Sequence, residues 1–168
     1  MKVFFFKAFF IVFCVSALCS CTVKYSTSGA SIPVEAKTFS VKYFPNNAEL
    51  VVPTLSQTVT TQLQDAFISQ TNLDMVNSIG DLHFEGEIVD YRMEPVVIQQ
   101  NDQAAYTRLT IGLKVKYTNK IDDTFAFDKT FSRYVDYSGT QLTATSAQID
   151  EVVKQLVEDI FNAAVVNW

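Results

Sequence analysis

Cysteine is scarce and unevenly placed: the 168-residue chain has three, Cys14, Cys19 and Cys21, and none after them. From Thr22 onward this excludes a disulfide framework and a thiolate metal site, even in an oxidising compartment. A single histidine, His83, leaves no His/Cys cluster for zinc, and it reads as an ordinary residue on the polar side of a strand. Five glycines form neither a phosphate-cradling loop nor a G-x-S-x-G turn. Lysine and arginine never run together, so no stripe tracks a nucleic-acid backbone, and no such partner is expected. Carboxylate pairs do occur, Asp122 with Asp123 and Glu158 with Asp159, but one lies in a turn and the other on an exposed helix face, where solvated acids are common. No catalytic constellation emerges, and the chain is expected not to be an enzyme.

What is present begins with "MKVFFFKAFFIVFCVSALCSC". Lys2 and Lys7 precede an apolar run from Ala8 to Leu18, which is too short for a comfortable bilayer crossing and has the order of a secretory signal. Its end, "LCSC", resembles the lipobox of bacterial lipoproteins, in which cleavage occurs directly before an acylated cysteine. Leu18 and Ser20 occupy the aliphatic and small positions of that pattern. The alternative is a plain secretory signal with incidental cysteines. The lipobox reading makes residues 1–20 a signal, Cys21 the first mature residue carrying a covalent N-acyl diacylglycerol, and 21–33 a Ser/Thr/Gly-rich tether. No other cofactor is implied. Thr22 is not the aspartate that commonly marks inner-membrane retention, which favours the outer membrane. Removal of Lys2 and Lys7 takes the formal charge from −5 to −7, and acyl chains exceed the roughly two hydrophobic signals that stable anchoring needs.

Residues 34–168 are about the modal length for one domain. "KTFSVKYF" alternates, with Phe39, Val41 and Tyr43 against Thr38, Ser40 and Lys42, and predicts a half-buried strand. Thr54 and Gln57 stand at capping-box spacing before an amphipathic helix through Leu55, Val59, Leu63 and Phe67, ending near Thr71. "DLHFEGEIVDY" and "RLTIGLKVKYTN" predict long strands with one wet face, on which Glu85 or Glu87 can pair with Lys114 or Lys116. "TFAFDKTFSRYVDY" is a third long strand, but Lys129 and Arg133 share the side of Phe127 and Phe131, which suggests a bulge or a strand that outruns its covered core. Thr145 and Gln148 repeat the capping-box spacing. Asp150 and Glu151 are placed in the first turn, and Ile149, Val152, Val153, Leu156, Ile160 and Phe161 form one apolar face. The order β-α-β-β-β-α gives an α+β fold: a two-layer sandwich whose four-stranded, mostly antiparallel sheet is covered on one face by two helices.

The hairpin "YRMEPVVIQQNDQAAYTR" sets apolar Val97 and Ile98 between Arg92 and Arg108. Such a set can meet an amphiphile, insert into a partner protein, or simply extend the strands.

Together, "ASIPVEAKTFSVKYFPNNAELVVPTLSQTVTTQLQDAFISQTNLDMV", "GDLHFEGEIVDY", "RLTIGLKVKYTN", "FSRYVDYSG" and "EDIFNAAVVNW" resemble the LptE family of lipopolysaccharide-assembly lipoproteins in its Bacteroidetes form. The resemblance spans Cys21 to Trp168. It implies an outer-membrane lipoprotein that plugs the LptD β-barrel translocon, helps it assemble, and takes part in inserting lipopolysaccharide into the outer leaflet. Lipopolysaccharide contact through basic residues would fall to Arg92, Arg108, Lys114 and Lys116. The competing expectation is a free periplasmic binder of lipids or amphiphiles with no barrel partner.

Overall fold

A computed structural model describes residues 32–33, 35–96 and 106–165. Five strands make one sheet: β1 (Thr38–Val41), β2 (Asp74–Met75), β3 (Leu82–Val96), β4 (Tyr106–Asn119) and β5 (Phe127–Ser138), in the order β2-β1-β3-β4-β5. Helices α1 (Leu55–Gln70) and α2 (Ser146–Val165) lie on one side of it. The α+β sandwich is as expected, with five strands in place of four. The addition, β2, is only two residues long, and a pair of residues carries no readable period. The sheet is mixed: β1 runs parallel to both β2 and β3, and β3, β4 and β5 form an antiparallel meander.

The core is carried by one face of each strand. Leu82, Phe84 and Ile88 point inward from the first half of β3; then the register slips between Ile88 and Asp90, leaving Val89 as the extra residue of a bulge. The slip changes phase, so that Tyr91 and Met93 face the core and Asp90, Arg92 and Glu94 face water. Without it, three charges would be driven inward. The bulge thus lies in β3, and β5 has none: its register with β4 is unbroken from Phe127 to Ser138. Lys129 and Arg133 do face the helix layer, but at the sheet's edge, where Arg133 reaches Asp159 of α2 at 2.6 Å. Inward charges on an edge strand are a common guard against unwanted pairing.

β1 is shorter than its alternation suggests. It ends at Val41, Tyr43 is 55% exposed, and Phe44 is the residue that enters the core. The following segment still follows β3, since Lys42 N donates to Phe84 O and Asn47 N to Ile88 O. The Phe44 ring lies over Gly86. A Cβ there would stand 2.6 Å from Phe44 Cε1 and would also strike the Lys114 carbonyl oxygen. Gly86→Ala should therefore cost about 1–3 kcal/mol by overpacking, read as a lowered denaturation midpoint at constant slope; an unchanged midpoint would show that both the ring and the Lys114 carbonyl yield at little cost.

The two helix starts differ. At α2, Thr145 N donates to Gln148 Oε1 (2.8 Å) and Gln148 N to Thr145 Oγ1 (3.4 Å), the expected capping box. At α1, Thr54 is already helical (φ −82, ψ −20), so its hydroxyl does not cap, and Gln57 donates instead to Thr61. Asp150 and Glu151 lie beyond the first turn of α2, which contains no acid, because the helix begins at Ser146; Asp150 accepts from Gln62 of α1 instead. Between the layers runs a line of rings. Phe39, Phe67 and Phe84 are followed by Tyr117 and Phe127, with centroids 4.7–5.4 Å apart, and Phe161 joins Phe67 at 5.0 Å. Burial pushes the Tyr117 phenol up to about 12, so it stays protonated.

Chain entry is fixed by one carboxylate. Asp81 Oδ2 accepts from Lys37 N, Thr38 N and Thr38 Oγ1, each at 2.9 Å, and these bonds hold its pKa below the ordinary carboxylate range. A depressed pKa contributes stability that is present at neutral pH and lost as pH falls through the folded value. Asp81→Asn should lower the unfolding midpoint at pH 7 and shrink the difference between neutral and acid pH. An identical pH dependence in both proteins would remove this role.

Candidate functional site: the outer face of the sheet

The helices leave the other face of β3, β4 and β5 open, and every described basic residue proposed from the sequence reaches it. Arg92 lies between Asp90 (3.2 Å) and Glu94 (3.8 Å) of its own strand. Arg108, opposite Asp136 in the ladder, donates two hydrogen bonds to that carboxylate (2.7 and 2.8 Å) and stacks over Tyr134 at 3.9 Å. Each partner stabilises the other's charge, holding Asp136 below and Arg108 above its ordinary value. Further along, Lys116 meets Glu85 at 3.0 Å, with Lys42 at 3.8 Å from the same carboxylate. This is the cross-strand pairing expected from the alternating charges.

Lys114 is different. It stands opposite Glu87, whose carboxylate is taken by Asn47 Nδ2 at 2.6 Å, and it has no ion pair among the described residues. Lys114 and Lys116 share a shallow depression of about 280 Å³ with Lys42, Tyr43 and Asp128. The structure therefore gathers the two lysines and sets the two arginines apart, toward the hairpin end of the sheet. Val97, Ile98 and the acylation candidate Cys21 lie outside the described residues.

Chemically, the face is nearly self-neutralised. Arg108 presents no open fork to a phosphate, because such a ligand would have to displace Asp136. Lys114 offers a point charge without that competition.

His83 is not a free surface residue. Its Nδ1 lies 2.7 Å from Ser40 Oγ, which also accepts from Gly80 N at 2.9 Å, and burial lowers its pKa. The ring lines a cavity of about 340 Å³ with Met75, Ile79 and Lys42. The alternation of "DLHFEG" gives its face but not Ser40, which comes from another strand. No group of three or more His, Cys, Asp or Glu side chains that could hold a metal occurs among the described residues. No described helix is long and apolar enough to cross a membrane.

Comparison with solved structures returns lipoproteins and a dodecameric protein at low identity. A PelC dodecamer from Paraburkholderia phytofirmans aligns with a TM-score of 0.47 and 9% identity, over 82% of this chain and 95% of that one. A minor lipoprotein from Acinetobacter baumannii aligns at 0.41 and 12%, over 79% and 92%. Lipoprotein GNA1162 from Neisseria meningitidis aligns at 0.40 and 10%, over 75% and 99%. No curated protein matches significantly. The family model for lipopolysaccharide assembly, LptE, matches residues 36–164, almost the whole folded domain. The chain belongs to the LptE lipopolysaccharide-assembly family.

Proposed function

We propose that this protein is an outer-membrane lipoprotein, held by an acylated Cys21 on the periplasmic side, that plugs and helps assemble an LptD-type β-barrel and takes part in lipopolysaccharide insertion. The family match over residues 36–164 carries the reading. The outer sheet face supports it. Its cations are mostly closed on internal carboxylates, which suits a protein surface better than a carrier of anionic lipid. The role is one of binding and assembly, with no catalytic step. Any direct lipopolysaccharide contact would fall first to Lys114.

Depletion of the protein tests this in cells. The barrel should then lose its heat-modifiable, folded form on unboiled gels, and newly made lipopolysaccharide should fail to reach the surface. A folded barrel with normal surface lipopolysaccharide after depletion would reject the reading.

A further inference from the structure

The two edges of the sheet are unequal. At one, β2 offers two residues, the kind of short edge that cannot template another strand. At the other, β5 runs for twelve residues in regular register, and half of the backbone groups of such an edge point outward. Among the described residues, no backbone hydrogen bond outside the β4 ladder engages Phe127–Ser138. Beside this edge lies a groove of about 560 Å³, floored by Lys129 to Arg133 of β5 and walled by Asp159, Asn162 and Ala163 of α2. An open edge strand next to a helix wall is the geometry in which an extended segment adds to a sheet. Its backbone supplies the ladder, and alternate side chains enter the groove.

We propose that an extended strand of a different protein chain pairs with β5 and sets an acidic side chain against Lys129. The charges select that occupant. Arg133 is closed on Asp159 by hydrogen bonds of 2.6 and 2.7 Å, whereas Lys129 has no carboxylate partner among the described residues and rests 5.4 Å over the Phe127 ring. A second copy of this chain is disfavoured. Antiparallel self-pairing that uses the whole strand is centred on Ser132 or Arg133; the first opposes Asp128 to Asp136, and the second opposes Arg133 to itself. Like charges directly opposite each other weaken a ladder. The proposal rests on the assembly reading for the existence of a partner, but not for where that partner sits.

Photo-cross-linking of the full-length lipoprotein in cells tests it, with p-benzoylphenylalanine replacing Thr130, Ser132 or Tyr134, and Asp74 as the control on the short edge. The β5 positions should form adducts with another chain, and mass spectrometry should place them on an extended, acid-containing segment. Lys129→Glu should lower the adduct yield about tenfold or more, while Lys129→Arg keeps it. Circular dichroism of both variants separates lost pairing from lost folding. Silence at β5, adducts to a second copy, or a yield unaffected by Lys129→Glu in a folded protein would overturn the proposal. Silence at β5 with a barrel still co-purifying would leave the assembly reading in place. Lys129-dependent adducts to a chain that is not a barrel would do the reverse.

Discussion

Phe67→Ala should be among the most damaging single substitutions in the domain, at about 3–5 kcal/mol. Phe67 is fully buried, and its ring touches Phe39 of β1, Phe84 of β3 and Phe161 of α2 at centroid distances of 5.4, 4.7 and 5.0 Å. It is the point where both helices and two strands meet. Truncation removes the transfer free energy of the ring and leaves a void lined by three other rings, which are too large to collapse into it. With total stability for a domain of this size near 5–15 kcal/mol, that loss is a large fraction of the whole. Chemical denaturation measures the loss directly. A cost below about 1 kcal/mol would mean that the aromatic line is not the centre of the core.

Cys21→Ala, placed behind a secretory signal that does not need acylation, should release the protein from membranes while leaving the unfolding free energy within about 0.5 kcal/mol of the parent. Among the described residues no helix can cross a bilayer, and Cys21 lies outside the described residues. On the proposed reading, attachment is through acyl chains on Cys21, each buried methylene contributing about 0.8 kcal/mol. Fractionation should move the protein from the washed pellet to the soluble periplasm. Persistence in washed membranes would show that a partner, not the acyl group, holds it there.

Much of the fold was legible because the signals were periodic. The long alternations of β3 and β4 and the apolar stripe of α2 each repeat often enough to fix both the element and its buried face. The failures were local. The bulge at Val89 leaves a trace, since inward residues change from even to odd numbers between Ile88 and Tyr91, and that phase change could have been used. β2 and the Asp81 clamp left no trace, because both depend on segments brought together across about forty positions of sequence. At Thr54 the spacing was right and the backbone was not, since a cap needs an extended conformation that this residue does not adopt.

The candidate site was legible in membership but not in pairing. Alternation puts Arg108, Lys114 and Lys116 on one face, and only the β4–β5 register shows that Arg108 meets Asp136. The odd placement of Lys129 and Arg133 was visible as an anomaly. Its reason, an edge strand beside α2 with Arg133 closed on Asp159, required the sheet order.

The proposed function makes this chain part of a barrel assembly. Its most direct test is to extract the native, C-terminally tagged lipoprotein in mild detergent and quantify what co-purifies by mass spectrometry. One large outer-membrane β-barrel should co-purify at near-equimolar yield. A monomeric protein carrying stoichiometric lipid and no barrel would contradict it and establish an amphiphile carrier that shares the family's fold.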